Sequence, residues 1–202
     1  MIKAIIFDIY GVIIDREMRF SERFSRDFNI PIEVMLPFFK NELQLCLVGK
    51  ADLKEELQKH LKNWGWQKST EELLKYWFNH EKNINQKVLS IVDNLRNSGI
   101  KCFLSTDNEK YITNFVLNDL GLKNHFDQYF LSNEIEYQKF QKEFWEYVAN
   151  KTQNIKKEDI LCLDDKQKNI DMAKNAGFQA ELYSDFKWFQ KLTKPLLIKK
   201  SR

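Results

Sequence analysis

The positions of the glycines constrain the fold more than any other feature of this sequence. Only six glycines occur in 202 residues, and three of them, Gly99, Gly121 and Gly177, each follow a polar, helix-like stretch and precede a short apolar run. Glycine commonly ends a helix at such a place because it adopts a left-handed backbone conformation at little cost. Three such junctions predict a chain in which helices and strands alternate.

Four short apolar runs are the candidate strands. They lie at 5–7, 102–104, 129–131 and 160–163, and their apolar residues are nearly unbroken. Strands that helices cover on both faces have this pattern, since neither side of the strand meets water. The sequence therefore predicts an α/β fold built on a doubly wound parallel sheet.

The stretch between the first and second runs is far longer than one crossover helix requires. Apolar residues recur in it at helical spacing, as in Phe20, Phe24 and Phe28, and again along 53–64 and 73–78. Such stripes are typical of amphipathic helices that pack on one face. We expect a helical insert at 16–82, and an α/β core formed by 1–15 and 83–202.

Composition and charge exclude several classes of protein. Lys plus Arg (32) and Asp plus Glu (29) leave a net charge of only +3, which does not indicate a nucleic-acid partner. No run approaches the roughly 20 apolar residues that span a bilayer. The three cysteines lack metal-ligand spacing and lie in apolar stretches, which indicates buried thiols in a reducing compartment. We expect a cytoplasmic protein without membrane association, and the oligomeric state stays open.

Polar side chains close each apolar run, at the edge of the sheet where ligands of open α/β folds bind. Asp8 ends the first run, Ser105 and Thr106 end the second, and Asp164 and Asp165 end the fourth. Carboxylates that meet at short range repel one another unless a proton or a divalent cation intervenes, and Mg²⁺ is the natural cation for oxygen ligands.

Phosphate binding is the second property that these strand ends suggest. Lys139 follows the third run and adds an ammonium group, while Thr106 and Glu109 have the spacing of a capping box that would open a helix. A lysine and a helix N-terminus beside Mg²⁺ make a pocket for a phosphate group. A carboxylate such as Asp8 could then attack phosphorus and form an aspartyl-phosphate that water hydrolyses.

Four segments together resemble the motifs of the haloacid dehalogenase-like (HAD) hydrolase superfamily. They are Ile-Ile-Phe-Asp-Ile-Tyr-Gly-Val at 5–12, Phe-Leu-Ser-Thr at 103–106, Tyr-Gln-Lys at 137–139 and Leu-Asp-Asp-Lys-Gln-Lys-Asn-Ile at 163–170. The order and spacing match across almost the whole chain. The helical insert after the first motif is similar to the small cap that many members fold over the active site.

The resemblance implies a role for each matching residue. Asp8 would be the nucleophile and a metal ligand, and Lys139 would balance the charge on Asp8 and on the phosphoryl group. Asp165 would be the acidic metal ligand, with Asp164 beside it, and the sequence leaves open which of the two contacts the ion. The backbone carbonyl of Tyr10 would complete the protein ligands, and the Ser105 hydroxyl, with Thr106 beside it, would bind the phosphoryl group.

The expected function is Mg²⁺-dependent hydrolysis of a small phosphorylated metabolite. Tyr10 occupies the position at which phosphatases of the superfamily usually carry an acid/base aspartate, and Phe140 stands where a proline commonly follows the lysine. A phenol is a poor general base at neutral pH, so activity on poor leaving groups should be low. Two alternatives stay open: a metal-independent 2-haloacid dehalogenase, whose pattern also has Asp-x-Tyr-Gly, and a non-catalytic binding protein.

Overall fold

A five-stranded, fully parallel sheet forms the centre of the protein, in the order β3-β2-β1-β4-β5. The computed structural model describes residues 1–198. The strands are β1 (Ala4–Asp8), β2 (Lys101–Thr106), β3 (Gln128–Leu131), β4 (Ile160–Asp164) and β5 (Gln179–Leu182). This architecture confirms the predicted α/β fold class, with four strands at the four apolar runs and a fifth that no apolar run marks.

Helices fill the connections between the strands. Those between β1 and β2 are α1 (Phe20–Phe28), α2 (Ile32–Lys40), α3 (Glu42–Leu47), α4 (Leu53–His60), α5 (Thr70–Asn79) and α6 (Gln86–Asn97). The later ones are α7 (Lys110–Asn114), α8 (Ser132–Ile135), α9 (Lys142–Lys151), α10 (Gln167–Asn175) and α11 (Phe186–Ile198). A π-helical segment at Phe115–Asp119 continues α7, and 3₁₀ turns lie at Leu122–His125 and Lys157–Asp159.

The sheet is buried on both faces, as its continuous apolar strands predict. In β1, Ile5 and Phe7 pack into the apolar cluster on one face, with α6 and α11, whereas Ala4 and Ile6 pack into the cluster on the other face, with α9 and α10. Successive side chains of a strand point to opposite faces, so each face receives alternate residues.

Helices α1 to α5 form an apolar core of their own. Its centre is the fully buried Trp64, and Phe24, Phe38, Leu57 and Leu73 around it are also without solvent exposure. Three hydrogen bonds tie these helices to the loops at the carboxyl ends of the strands: Ser132 Oγ to the Leu47 carbonyl (2.6 Å), Gln138 Nε2 to Gln44 Oε1 (3.1 Å) and Tyr111 hydroxyl to Asp52 Oδ2 (2.8 Å).

One predicted helix start is wrong. Thr106 and Glu109 do not form a capping box, because β2 continues through Thr106 and α7 begins only at Lys110. Glu109 itself caps α7, and its carboxylate accepts hydrogen bonds from the backbone N–H groups of Tyr111 (2.7 Å) and Ile112 (2.6 Å).

The cysteines agree with a further expectation from the sequence. Cys46, Cys102 and Cys162 are buried free thiols. Among the described helices, none combines the length and the apolar character that a membrane crossing requires.

Candidate active site

Asp8 ends the central strand and is almost fully buried, with 3% of its surface exposed. Its Oδ1 accepts hydrogen bonds from the backbone N–H of Ile9 (2.8 Å) and from Lys139 Nζ (2.6 Å). Within residues 1–198, no protein donor binds Oδ2. Burial, together with the neighbouring carboxylate of Asp164, raises the pKa of Asp8 to about 7, although the ammonium of Lys139 acts in the opposite direction.

Lys139 connects two carboxylates that come from opposite ends of the chain. Its fully buried Nζ donates to Asp8 Oδ1 and to Asp164 Oδ2, both at 2.6 Å. Burial alone would lower the pKa of Lys139, but the carboxylates of Asp164 and Asp8 outweigh it and hold that pKa above the ordinary value. The lysine is therefore charged at neutral pH.

Backbone contacts fix the loop that carries Lys139. Its N–H donates to Asp107 Oδ1 (2.9 Å), and its carbonyl accepts from Trp145 Nε1 (2.6 Å). The loop leads from α8 to α9, beyond the edge strand β3, so the long lysine side chain spans the distance to the central strands. Asp107 is not among the site residues predicted from the sequence, and its contact with Lys139 is a role that the sequence did not reveal.

Asp164 and Asp165 differ in how the protein holds them. Asp164 is buried, and its two oxygens accept hydrogen bonds from Lys139, from Asn169 Nδ2 (3.0 and 3.1 Å) and from the Lys166 backbone N–H (2.9 Å). Burial opposes these donors, but they keep the pKa of Asp164 below its ordinary value. Asp165 is exposed and lies against Gly11 of the loop after β1.

The carboxylates of Asp8, Asp164 and Asp165 converge. Each offers an oxygen, and these oxygens lie within 4.8 Å of one another. With Asp107, four carboxylates meet only two ammonium groups, those of Lys139 and Lys166, so full ionisation leaves an excess of two negative charges. Oxygen donors with this excess fit a divalent cation such as Mg²⁺.

Ser105 and Thr106 lie beside the carboxylates. Ser105 pairs with Asp8 in the register of β1 and β2. Ser105 and Thr106 are both buried, with 2% and 1% of their surface exposed. Neither hydroxyl has a hydrogen-bond partner among the described residues. Both residues lie at the carboxyl end of β2, next to the end of β1 that carries Asp8.

Tyr10 lies in the turn after β1, where its ring packs under the guanidinium of Arg16, 4.1 Å from the ring centroid. Its hydroxyl is buried and, among residues 1–198, has no hydrogen-bond partner. Burial raises the pKa of Tyr10 well above its ordinary value, and the neighbouring carboxylate of Glu81 adds to this. The side chain is therefore a neutral donor and not a general base.

A cavity of about 290 Å³ adjoins the carboxylates. Besides Tyr10, its lining includes Arg16, Glu81 and Asn108, none of which the sequence singled out. Arg16 follows β1, Glu81 precedes α6 and Asn108 follows β2. Isolated polar residues at such places are common on protein surfaces, so the sequence did not distinguish these three.

The chain belongs to the haloacid dehalogenase-like hydrolase family, whose model matches residues 2–177. This confirms the resemblance of the four sequence motifs. No protein with a curated functional description matches the chain.

Solved structures share the whole fold. A HAD family enzyme from Bacteroides thetaiotaomicron superimposes with a TM-score of 0.82 at 16% identity, covering 95% of this chain and 98% of its own. A HAD-like family hydrolase from Porphyromonas gingivalis gives 0.79 at 18% identity and covers 97% and 98%. The Bacteroides enzyme in complex with magnesium and inorganic phosphate gives 0.73 at 19% identity, covering 94% and 99%. At these identities the likeness shows the fold alone.

An L-2-haloacid dehalogenase from Xanthobacter autotrophicus is also similar. Its TM-score is 0.64 at 17% identity, and the match covers 98% of this chain and 84% of the dehalogenase. The fold therefore accommodates more than one hydrolytic chemistry, and the choice between them depends on the site residues.

Proposed function

We propose that the protein is a Mg²⁺-dependent phosphatase acting on a small phosphorylated molecule. The observation that carries this proposal is the convergence of Asp8, Asp164 and Asp165, whose oxygens lie within 4.8 Å of one another. The buried ammonium of Lys139 bonds to two of them, Asp8 and Asp164. The Bacteroides enzyme of the same fold was solved with magnesium and inorganic phosphate, which is consistent with this chemistry.

Mg²⁺ fits the donors at this edge of the sheet. Asp165 is exposed and free of hydrogen bonds within the described chain, so it offers a carboxylate directly, together with Asp8 and the backbone carbonyl of Tyr10. Asp164 accepts four hydrogen bonds, one of them from Lys139. It therefore positions Lys139 and also adds negative charge to the cation site. When bound, the cation would neutralise the excess charge and polarise the phosphoryl oxygens.

Asp8 has the position and orientation of a nucleophile. Because Ile9 and Lys139 hold Oδ1, the free Oδ2 attacks phosphorus while the bond to the leaving oxygen breaks, which gives an aspartyl-phosphate. Water then attacks phosphorus and releases phosphate and the Asp8 carboxylate. Lys139 offsets negative charge throughout, and the hydroxyls of Ser105 and Thr106 donate to the phosphoryl oxygens.

The helices between β1 and α6 would serve as a cap, within the predicted boundaries of 16–82. Their hydrogen bonds to Ser132, Gln138 and Tyr111 join them to the loops that carry the site. Held in this way, they cover the cavity beside the carboxylates and limit the access of water.

Haloacid dehalogenation is the second candidate, because Tyr10 replaces the acid/base aspartate and a dehalogenase has the same fold. In that chemistry Asp8 would displace a halide from carbon without a metal. The carboxylates of Asp164 and Asp165 argue against it, since they place uncompensated charge beside the nucleophile.

A non-catalytic protein that binds Mg²⁺ or a phosphorylated ligand is the third candidate, and Tyr10 again motivates it.

Substitution of the nucleophile separates the three candidates. We expect phosphate release from a panel of phosphomonoesters to require Mg²⁺ and to fall by about 10³-fold or more in Asp8→Asn. Asp171→Asn is the matched control, because Asp171 is exposed on α10, outside the carboxylate cluster. It should retain wild-type activity.

Two other results would reject the phosphatase. Chloride release from 2-chloropropionate in EDTA would establish the dehalogenase. Absence of turnover on every ester, with Mg²⁺ still bound by calorimetry, would favour the binding protein.

A further inference from the structure

The cavity beside the carboxylates has two chemically different ends. Loops of the core form one end, with Tyr10 after β1, Asp107 after β2 and Lys166 after β4. Two of these residues also contact the site, since Asp107 accepts from the Lys139 backbone N–H and the Lys166 backbone N–H donates to Asp164. A phosphoryl group held by the carboxylate site would therefore extend its organic part into this cavity.

The other end is apolar and comes mainly from helices α1 to α5. Phe20, Phe39, Leu43 and Trp77 are among its lining residues. The rings of Phe20 and Trp77 stack on each other with centroids 4.2 Å apart, and together with Phe39 they make this wall of the cavity aromatic. Such a wall favours a planar apolar group and leaves the hydroxyls of a sugar without partners.

Three of the charged residues of the lining, Arg16, Glu81 and Glu109, already have partners in the protein. Arg16 is paired with the buried Glu81, with 3.2 Å between Nε and Oε2. Glu109 caps α7, and Arg19 is exposed to solvent. Arg19 and Lys166 form no ion pair among the described residues, so the charges of the lining neither require nor exclude a second anionic group.

Two buried donors of the lining lack acceptors. The Tyr10 hydroxyl and the Asn108 amide nitrogen have no hydrogen-bond partner within residues 1–198, and the two residues are only 6% and 7% exposed. Unpaired buried donors reduce stability, so a ligand that supplies an acceptor gains the interaction that the free protein lacks.

We propose that the substrate is a phosphomonoester whose organic part is a single apolar ring that carries one hydrogen-bond acceptor. The volume of about 290 Å³ lies at the small end of ligand cavities, which sets the size at one ring. Tyr10 and Asn108 recognise the acceptor, and Trp77 stacks on the ring. This inference rests on the proposed function for the placement of the phosphoryl group.

Binding of non-hydrolysable phosphonates tests the inference without turnover. Titration calorimetry of the wild-type protein in Mg²⁺ would compare 4-acetylbenzylphosphonate, 4-ethylbenzylphosphonate and the phosphonate analogue of glucose 6-phosphate. We expect the acetyl compound to bind about tenfold more tightly than the ethyl compound, and both to bind at least about 30-fold more tightly than the sugar. Equal affinities for the acetyl and ethyl compounds, or a sugar that binds as tightly as either, would overturn the proposal.

Substitutions in the cavity test which residues bind the ring and its acceptor. Trp77→Ala should weaken both benzylphosphonates about tenfold or more, because the stacking surface is lost. Trp66→Ala is the matched control: Trp66 is also half-buried against the core of α1 to α5, but it does not line the cavity. Tyr10→Phe should reduce the preference for acetyl over ethyl. Equal effects of the two tryptophan variants would show that the cavity is not the binding site.

The outcomes separate this inference from the proposed function. If no phosphomonoester is hydrolysed and the acetyl compound still binds most tightly, the phosphatase is rejected and the ligand class stands. If phosphomonoesters are hydrolysed and the sugar phosphonate binds as well as the benzyl compounds, the ligand class alone is rejected.

Discussion

Gly11 offers a test of how the first and fourth strand loops meet. It has a positive φ of +85°, and a Cβ added to it would lie 2.5 Å from Asp165 Oδ2, 2.8 Å from Asp165 Cγ and 3.0 Å from Asp165 Cβ. Real Cβ atoms do not approach other atoms so closely, so Gly11→Ala must move Asp165. Because Asp165 is exposed, its side chain can turn away and leave the carboxylate cluster.

The expected cost has two parts. An alanine with positive φ costs about 1 kcal/mol of the free energy of unfolding, whatever the space around it. Displacement of an exposed carboxylate adds little to this, so we expect a total of about 1–2 kcal/mol. The effect on the metal should be larger, because the loss of one of three carboxylates lowers the charge that binds Mg²⁺, and we expect its Kd to rise about tenfold.

Gly121→Ala separates the cost of the positive φ from the displacement of Asp165. Gly121 has a similar positive φ of +75°, and the nearest atom to an added Cβ is Asn124 Nδ2 at 3.9 Å, an ordinary contact. Urea unfolding should show a similar loss of stability in both variants, whereas calorimetric titration with Mg²⁺ should show weaker binding only in Gly11→Ala. Unchanged Mg²⁺ affinity in Gly11→Ala would refute the role of Asp165, and equal weakening in both variants would refute the contact.

Two further substitutions test the electrostatics. Lys139→Met leaves two buried carboxylates without their counter-charge, and we expect urea unfolding to show a loss of about 3–5 kcal/mol, against less than about 0.5 kcal/mol for the exposed Lys142→Met. Equal losses would contradict the buried ion pairs. Burial raises the pKa of Glu109 from 4.5 to about 7, so the folded state binds more protons than the unfolded state between these values, and stability from this residue is lost as the pH rises through them. The free energy of unfolding of Glu109→Gln, relative to that of the wild type, should therefore rise by up to about 3 kcal/mol from pH 4 to pH 8. A difference between the two proteins that does not vary with pH would show that burial does not raise the pKa of Glu109.

The sequence predicted the strands that are buried on both sides and missed the one that is not. The apolar runs at 5–7, 102–104, 129–131 and 160–163 all lie within strands of the sheet. In β5, at Gln179–Leu182, only Ala180 is buried, whereas β3, the other edge strand, buries Phe130 and Leu131. A strand of this kind carries no apolar run, and only its position after the helix stop at Gly177 indicated it.

The error at Thr106 has a physical cause. The spacing of Thr106 and Glu109 satisfies the pattern of a capping box, but the pattern does not state where the preceding strand ends. Because β2 pairs with β3 through Thr106, the chain stays extended there, and the helix can begin only after the loop that Asp107 and Glu109 form. The carboxylate of Glu109 then caps the helix by itself, which a search for paired capping residues overlooks.

The order of the strands explains why the sequence alone could assign residues that are far apart in the chain to one site. With β1 between β2 and β4, the strand ends that carry Asp8, Ser105 and Asp164 must be neighbours at one edge. Lys139 is different, because it follows β3, which β2 separates from β1, and nothing in the strand order brings its ammonium to Asp8. Its position depends on a backbone bond to Asp107 and on the length of a lysine side chain. A shorter cationic side chain at this position, or a loop without the hydrogen bond to Asp107, would leave the carboxylates of Asp8 and Asp164 without a counter-charge. The conformation of this loop, and not its sequence alone, therefore determines whether the two carboxylates are neutralised.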